Sequence, residues 1–201
     1  MSPAHVFEPT YVAIKRRLMN GEWEAGIRLE AAKIAETLGV SMTPVRDCLN
    51  RLAGERLVDF TAGEGFYVHQ LSEAEYRDML ELHLILLLAA IATAQRVETP
   101  LMSSVQDYPD RIAGFFTNLA ARSSNAELTR SIAALGDRLH RSRHYDAGII
   151  GDTAAEFDAL EAWVSGSAAT GDFRTLLLRY HERRAACSAD YARAMAPKVD
   201  S

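Results

Sequence analysis

The sequence predicts a mainly α-helical chain of two domains: an N-terminal helix-turn-helix of three helices with a β-hairpin wing, then an all-helical bundle. Three observations lead there. Two short amphipathic segments meet at the tight joint Gly39-Val40-Ser41, the pattern of a helix-turn-helix. Strand-like patterning with turn glycines occurs in "LVDFTAGEGFYVHQL", residues 57 to 71, directly after those segments. From residue 72 onward every patterned segment has helical periodicity.

In "PTYVAIKRRLMN", residues 9 to 20, Tyr11, Ile14 and Leu18 share one helical stripe, and Gly21 is placed to end it. "EAAKIAETLG" then sets Ala31, Ile34, Ala35 and Leu38 on one face and stops at Gly39. The third helix begins in "TPVRDCLNRLAGERL", with Pro44 near its start and Ser41 or Thr43 available as a cap. Val45, Cys48, Leu49 and Leu52 form its inward stripe, leaving Arg46, Asp47, Asn50 and Arg51 outside. Gly63 and Gly65 supply the unusual backbone angles of the hairpin. "SEAE" at 72 to 75 reads as a capping box and a domain boundary, which gives domains 1–71 and 72–201. Helices are predicted over roughly 73–98, 109–122, 126–145, 152–165 and 172–195.

Composition limits what such a chain can do. With 48% hydrophobic and 24% charged residues among 201, it can bury one good core or two small ones. Cys48 and Cys187 lie far apart with no partner at metal or redox spacing, which points to a reducing compartment and two inert thiols. The N-terminus lacks the pattern of a signal peptide, and the longest apolar run, "LILLLAAIATA" at 84–94, is too short to span a bilayer. A cytoplasmic protein without membrane contact is expected. The net charge of −5 argues against nucleic acid at first sight. Its location matters more: residues 1–72 hold eight Lys or Arg against nine Asp or Glu, and the rest 14 against 18.

The motifs "G-x-x-x-x-G-x-x-L" at 21–29, "IAETLGVS", "TPVR" and "GFYV" occur in an order that resembles the N-terminal domain of GntR-type winged-helix transcription regulators. The similarity spans about 70 residues, a more specific signal than a bare helix-turn-helix. "LSEAEYRDMLEL", "FFTNLAARSSNAEL" and "GDFRTLLLRYH" resemble, more loosely, the helical effector domain of the FCD branch. The resemblance implies a third helix in the major groove of an operator and a wing on the minor groove or backbone. Arg46 matches the DNA-reading Arg, and Ser41 and Thr43 the hydroxyl positions at the helix start, where free N–H groups suit phosphate. Asn50, Arg51 and Gly65 complete the candidate DNA-contacting set together with Met42.

This chain departs from that pattern at several positions. Met42 stands where the family usually has Arg, and Glu64 where the wing often has a basic residue. Met42 could touch a thymine methyl, or pack against the first helix. In the effector domain the family often holds a metal with one Asp and three His. Counting back from Asn125 places Ile112 and Phe116 at the first two ligand positions, Phe157 falls on or beside the third, and only His181 could serve as a ligand. One imidazole does not hold a metal ion, so no metal or other cofactor is expected. His83 and Leu87 replace the usual Arg and Glu, and the chain is short between 95 and 110, where another helix is usual. His83, Phe116, Phe157 and His181 are therefore candidates for contact with a small apolar or weakly polar effector, if one binds at all. His140 and His144 could form a relocated metal site, but "DRLHRSRHYD" reads better as a solvated helix end.

The leading functional reading is a homodimeric, ligand-responsive repressor on an inverted-repeat operator of double-stranded DNA. The alternative is a degenerate regulator that acts through protein–protein contact without sensing an effector. An enzyme ranks last, because no nucleophile elbow, phosphate loop or zinc motif occurs, and Asp107, Asp110, Asp152 and Glu156 read as solvated residues near helix starts.

Overall fold

The computed structural model describes residues 4–93, 107–165 and 172–197. The described chain divides into two compact units, one formed by the residues to Leu71 with the chain from Met195, the other by Ser72–Ala194.

The first unit contains α1 (Ala4–Met19), β1 (Arg28–Leu29), α2 (Ala31–Leu38), α3 (Met42–Gly54), β2 (Val58–Thr61) and β3 (Gly65–Val68). Helix α1 starts before Pro9, where the sequence pattern placed its beginning. Proline removes one helical hydrogen bond, and the extension is held by Phe7, which packs on the core and stacks on Tyr11 at 6.4 Å, an i,i+4 pair. Gly39 ends α2 in the left-handed region at φ 66°, a conformation that costs a side chain about 1 kcal/mol or more. That turn brings α3 back across α1 and α2. The stripe Val45, Cys48, Leu49 and Leu52 is wholly buried there with Ile14, each large aliphatic side chain contributing about 1.5 to 3 kcal/mol. Burial, reinforced by the Asp47 charge, pushes the Cys48 thiol up to about 11, so it is inert at neutral pH.

The hairpin pairs Val58 with Val68 and Thr61 with Gly65 in antiparallel register. Its sheet has a third strand that the sequence pattern did not reveal: β1 pairs Arg28 with Tyr67 and Leu29 with Phe66, giving the order β1-β3-β2. Two residues are too few to show alternation, and their partners lie far along the chain.

The second unit contains α4 (Glu73–Ala92), α5 (Tyr108–Ala121), α6 (Ala126–Arg143), α7 (Asp146–Ile149), α8 (Thr153–Val164), α9 (Phe173–Ala186) and α10 (Ser188–Met195). Side-chain caps start several of them: Ser72 accepts from the Glu75 N–H at 3.1 Å, and Asp107, Asn125 and Asp172 do the same for α5, α6 and α9. Helix α4 packs against α5, α6 and α9. The single helix predicted over 172–195 is broken at Cys187, and a short helix, α7, follows α6. The predicted end of the first bundle helix beyond 93, and the shortened stretch from 95 to 106, lie outside the described residues. Among the described residues no helix is long and apolar enough to cross a membrane.

One expectation is overturned. The polar stretch at the end of α6 is not a solvated helix end: His140, Ser142, Arg143 and Asp146 are all buried. Asp146 accepts hydrogen bonds from Arg184, Tyr108 and Tyr191, which supply the partners that a buried carboxylate requires. Asp152 and Glu156 are likewise engaged, both with Arg183, and Glu156 also with Arg184 at 2.8 Å.

Candidate nucleic-acid interface and the centre of the helical unit

Helix α3 presents one polar face to solvent because its opposite stripe is consumed by the core. Ser41 is its N-cap in extended backbone, φ −78° and ψ 163°, and its side chain makes no capping bond, so the hydroxyl and the first N–H groups of the helix face outward together. Met42 is the first helical residue and is 46% exposed. Thr43, Arg46, Asp47 and Asn50 are exposed along the next turns. Arg46 takes part in no ion pair among the described residues, which leaves its guanidinium free for an external partner.

Arg51 is placed differently. Its guanidinium lies 3.7 Å from the centre of the Tyr11 ring and pairs with Glu55 at 3.2 Å and Glu8 at 3.3 Å. Tyr11 and Lys15 complete this cluster, the Tyr11 hydroxyl donating to Glu55 at 2.7 Å and Lys15 reaching it at 3.0 Å. Burial raises the Glu55 carboxyl, but the hydrogen bonds from Tyr11 and Lys15 and the Lys15 charge outweigh it and hold the group below its ordinary value. Arg51 thus ties α3 to α1, and this is where its charge is spent.

At the wing, Gly65 has φ 109°, a region that disfavours side chains, and the Arg28 guanidinium lies 3.7 Å from the position a Cβ would take. Arg28 is exposed and makes no ion pair among the described residues. Sequence reading missed it, because only the β1–β3 pairing brings residue 28 beside residue 65. Glu64 is exposed at the turn.

The four residues singled out in the second unit are all buried, His83, Phe116 and His181 in mutual contact and Phe157 one layer away. His83 Nδ1 is 2.9 Å from His181 Nε2, and Phe116 meets His83 edge-on at 5.0 Å and His181 at 5.9 Å. Phe157 joins through Phe115, which touches both phenylalanines at 5.6 and 5.4 Å. Ile112 and Leu87 are fully buried in the same cluster. Burial depresses both imidazoles, with the neighbouring ring and Arg143 adding to the effect on His83. For His181 the hydrogen bond to the Leu177 carbonyl opposes burial, and the value falls to about 4. Both rings are therefore neutral at pH 7. Among the described residues no group of three or more His, Cys, Asp or Glu could hold a metal ion. The His140 and His144 rings meet edge-on at 5.5 Å, and His140 Nε2 lies 3.6 Å from Asp110.

Comparison with known proteins decides the family of the first unit. Residues 8–68 match the family model described as bacterial regulatory proteins, gntR family. The first unit is a GntR-family domain. Beyond this GntR domain, the chain is 28% identical over 137 residues to the Nta operon transcriptional regulator of Aminobacter aminovorans, covering 60% of this chain and 65% of that protein. It is 31% identical over 87 residues to the HTH-type transcriptional regulator McbR of Escherichia coli (strain K12), covering 43% and 39%. The matched segments thus span less than two thirds of the length of these curated relatives. Among solved structures, E. coli McbR/YncC aligns with a TM-score of 0.68 at 21% identity, covering 94% of this chain and 98% of that one. A putative transcriptional regulator GntR from Rhodococcus sp. RHA1 aligns at 0.66 and 17%, covering 90% and 96%. At these identities the likeness is one of fold: a GntR domain with three helices and a small antiparallel wing, followed by a helical second unit.

Proposed function

We propose that the chain is a DNA-binding transcriptional regulator: a ligand-responsive repressor that binds an inverted-repeat operator as a homodimer in the cytoplasm. The observation that carries this reading is the free, exposed Arg46 on the outward face of α3 in a GntR-family domain. In the major groove Arg46 pairs with the O6 and N7 atoms of a guanine, while Ser41, Thr43 and the α3 N-terminus hold a backbone phosphate. Met42 reaches the methyl group of a thymine, and Asn50 stands one turn beyond Arg46. Arg28 and Gly65 bring the wing to the sugar-phosphate backbone. Arg51 is left out of the contact set, since it is occupied within the domain.

The second unit is read as an FCD-like domain that pairs two protomers and senses an effector. Support for pairing comes from α4, whose outward side exposes Leu82 and Ile85, 47% and 53%, one helical turn apart. Two-fold pairing sets the α3 helices on half-sites about 34 Å apart. The absent Arg at position 42 changes which base is read and weakens binding, without removing the docking geometry.

Fluorescence anisotropy of the full chain against DNA from upstream of its own gene, with random DNA as control and at two salt concentrations, tests the reading. Specific binding is expected, and Arg46→Ala should weaken it about tenfold to a hundredfold while flattening sequence preference. Equal weak binding to every fragment, together with salt-resistant association with a protein, would favour a degenerate regulator that works through protein contact.

A further inference from the structure

Helices α8 and α9 pack on each other and leave between them, on the outside of the helical unit, a cleft of about 180 Å³ that is partly open to solvent. Its walls come from positions 152, 155, 156, 159 and 160, at and beyond the start of α8, and from 176, 179 and 183 on α9. Both sets follow i, i+3, i+7 spacing, so each is one helix face. Phe157 and His181 belong to the same two helices and are not among these walls, which separates the cleft from the cluster at the centre of the unit. Small side chains keep it open: Ala155 and Ala159 are both exposed, and anything larger at either would fill the space. Leu160, 1% exposed, and the half-buried Leu176 supply the rest of its apolar surface.

The charges around the cleft are unevenly used. Arg183 donates to Glu156 at 3.0 Å, to the Ile150 carbonyl at 3.1 Å and to Asp152. Arg184 takes the other Glu156 oxygen at 2.8 Å. The hydrogen bond from Arg183 holds the Asp152 carboxyl below its ordinary value. Both carboxylates are therefore answered within the unit, and the wall that Arg183 forms is built without help from any ligand. Arg179 is the exception. It lines the same cleft and is exposed, and its guanidinium makes no hydrogen bond or ion pair among the described residues.

An unspent guanidinium beside an apolar slot selects both the charge and the size of an occupant. Its planar fork pairs best with an oxyanion. A cavity of about 150 Å³ accepts a benzene ring, so this slot takes one ring or a branched chain of similar bulk and nothing much larger. A cation finds no carboxylate left to pair with, and a neutral molecule gains nothing from Arg179.

We propose that the α8–α9 cleft is a peripheral binding site for a compact amphipathic anion, a single apolar ring or branched chain that carries one phosphate or carboxylate head. The head pairs with Arg179 and the body lies against Ala155, Ala159, Leu160 and Leu176. The site requires neither an effector at the centre of the unit nor DNA on the first one.

Ligand-observed NMR titration of the full chain tests it, with phenyl phosphate and phenylacetate as probes and benzyl alcohol and inorganic phosphate as controls at equal ionic strength. A ringed anion should bind with a Kd of about 1 mM or tighter, within reach of about ten non-hydrogen atoms, and both controls at least about tenfold more weakly. Phenyl phosphate binding alone assigns a phosphate head, and phenylacetate binding alone a carboxylate head. Arg179→Ala should weaken binding about tenfold, and Arg179→Lys less, since it keeps the charge and loses the fork. Ala159→Leu should abolish binding by filling the slot, with Ala155→Leu repeating the test from the turn before. These positions are exposed, so Tm should stay within about 2 °C of the parent. Binding that survives both Arg179→Ala and Ala159→Leu would overturn the proposal, as would inorganic phosphate binding as tightly as phenyl phosphate. So would the failure of both ringed anions to bind at about 10 mM.

Discussion

Acidification from about pH 7 to about pH 5 should destabilise the helical unit through its paired histidines, and the size of the effect follows from their burial. His181 is depressed from 6.5 to about 4, by burial first, with the hydrogen bond to Leu177 opposing and Arg184 and Arg143 assisting. His83 is depressed in the same direction by burial, by His181 and by Arg143. Because the folded values lie below the unfolded ones, the unfolded chain binds protons first. Stability is complete above 6.5 and declines as pH falls toward 4. For His181 alone the loss between pH 7 and 5 is about 2 kcal/mol. In a chain of this size that is a fall in Tm of roughly 4 to 8 °C, to which His83 adds. Most of this window lies above the range where carboxylates titrate, and the lowered Glu55 contributes only at still more acid pH. Thermal melts followed by far-ultraviolet circular dichroism, with a His83→Phe/His181→Leu variant alongside, measure it. A Tm that stays flat to pH 5, or one that falls equally in the double variant, would refute the assignment of both rings as neutral and buried.

Met42→Arg should raise DNA affinity about tenfold and restore a steeper salt dependence, since an exposed first-turn position gains a cation that can reach guanine or phosphate; anisotropy at two salt concentrations reads both. Arg51→Ala should lower Tm by roughly 2 to 6 °C, from loss of its cation–π contacts with Tyr11 and Phe7 and two exposed ion pairs, together worth about 1 to 2 kcal/mol, while the folded variant binds DNA within about threefold of the parent. Arg28→Ala should reduce the salt slope of binding by about 1 and weaken specific and random DNA alike, the signature of a phosphate contact from the wing.

Much of the first unit was legible because its stripes are local. Val45, Cys48, Leu49 and Leu52 announce the buried face of α3 by spacing alone, and Gly39 marks the turn before it. What stayed hidden depended on partners distant in sequence. Arg28 reaches Gly65 only through strand pairing, and Arg51 looks like any outward basic residue until α1 brings Tyr11, Glu8 and Glu55 beneath it. In the second unit, His83, Phe116, Phe157 and His181 were singled out one at a time, and the contact of His83 with His181 and Phe116 was hidden because they lie on three different helices. The opposite error was made at the end of α6. A segment holding Asp137, Arg138, His140, Arg141, Arg143 and His144 has the composition of a solvated face, yet Asp146 is buried because Arg184, Tyr108 and Tyr191 converge on it from three other helices.

The acidity of the chain and its expected partner are reconciled by where the carboxylates are used. Glu8 and Glu55 are bound up with Arg51 and Lys15 on the α1 side of the domain, so their charges are answered before any DNA arrives. Asp146 and Glu156 are consumed by Arg184 in the other unit. The cations left without a partner on the first unit include Arg46 on α3 and Arg28 beside the wing, the two elements that a winged helix turns toward a duplex. Net charge sums over groups that already neutralise each other at short range, whereas a phosphate within the screening length of about 10 Å responds to the local remainder. That remainder is small, since Met42 and Glu64 supply no positive charge. On the reading proposed above, such a domain would depend for its affinity on base contacts and on two-fold pairing more than on counterion release.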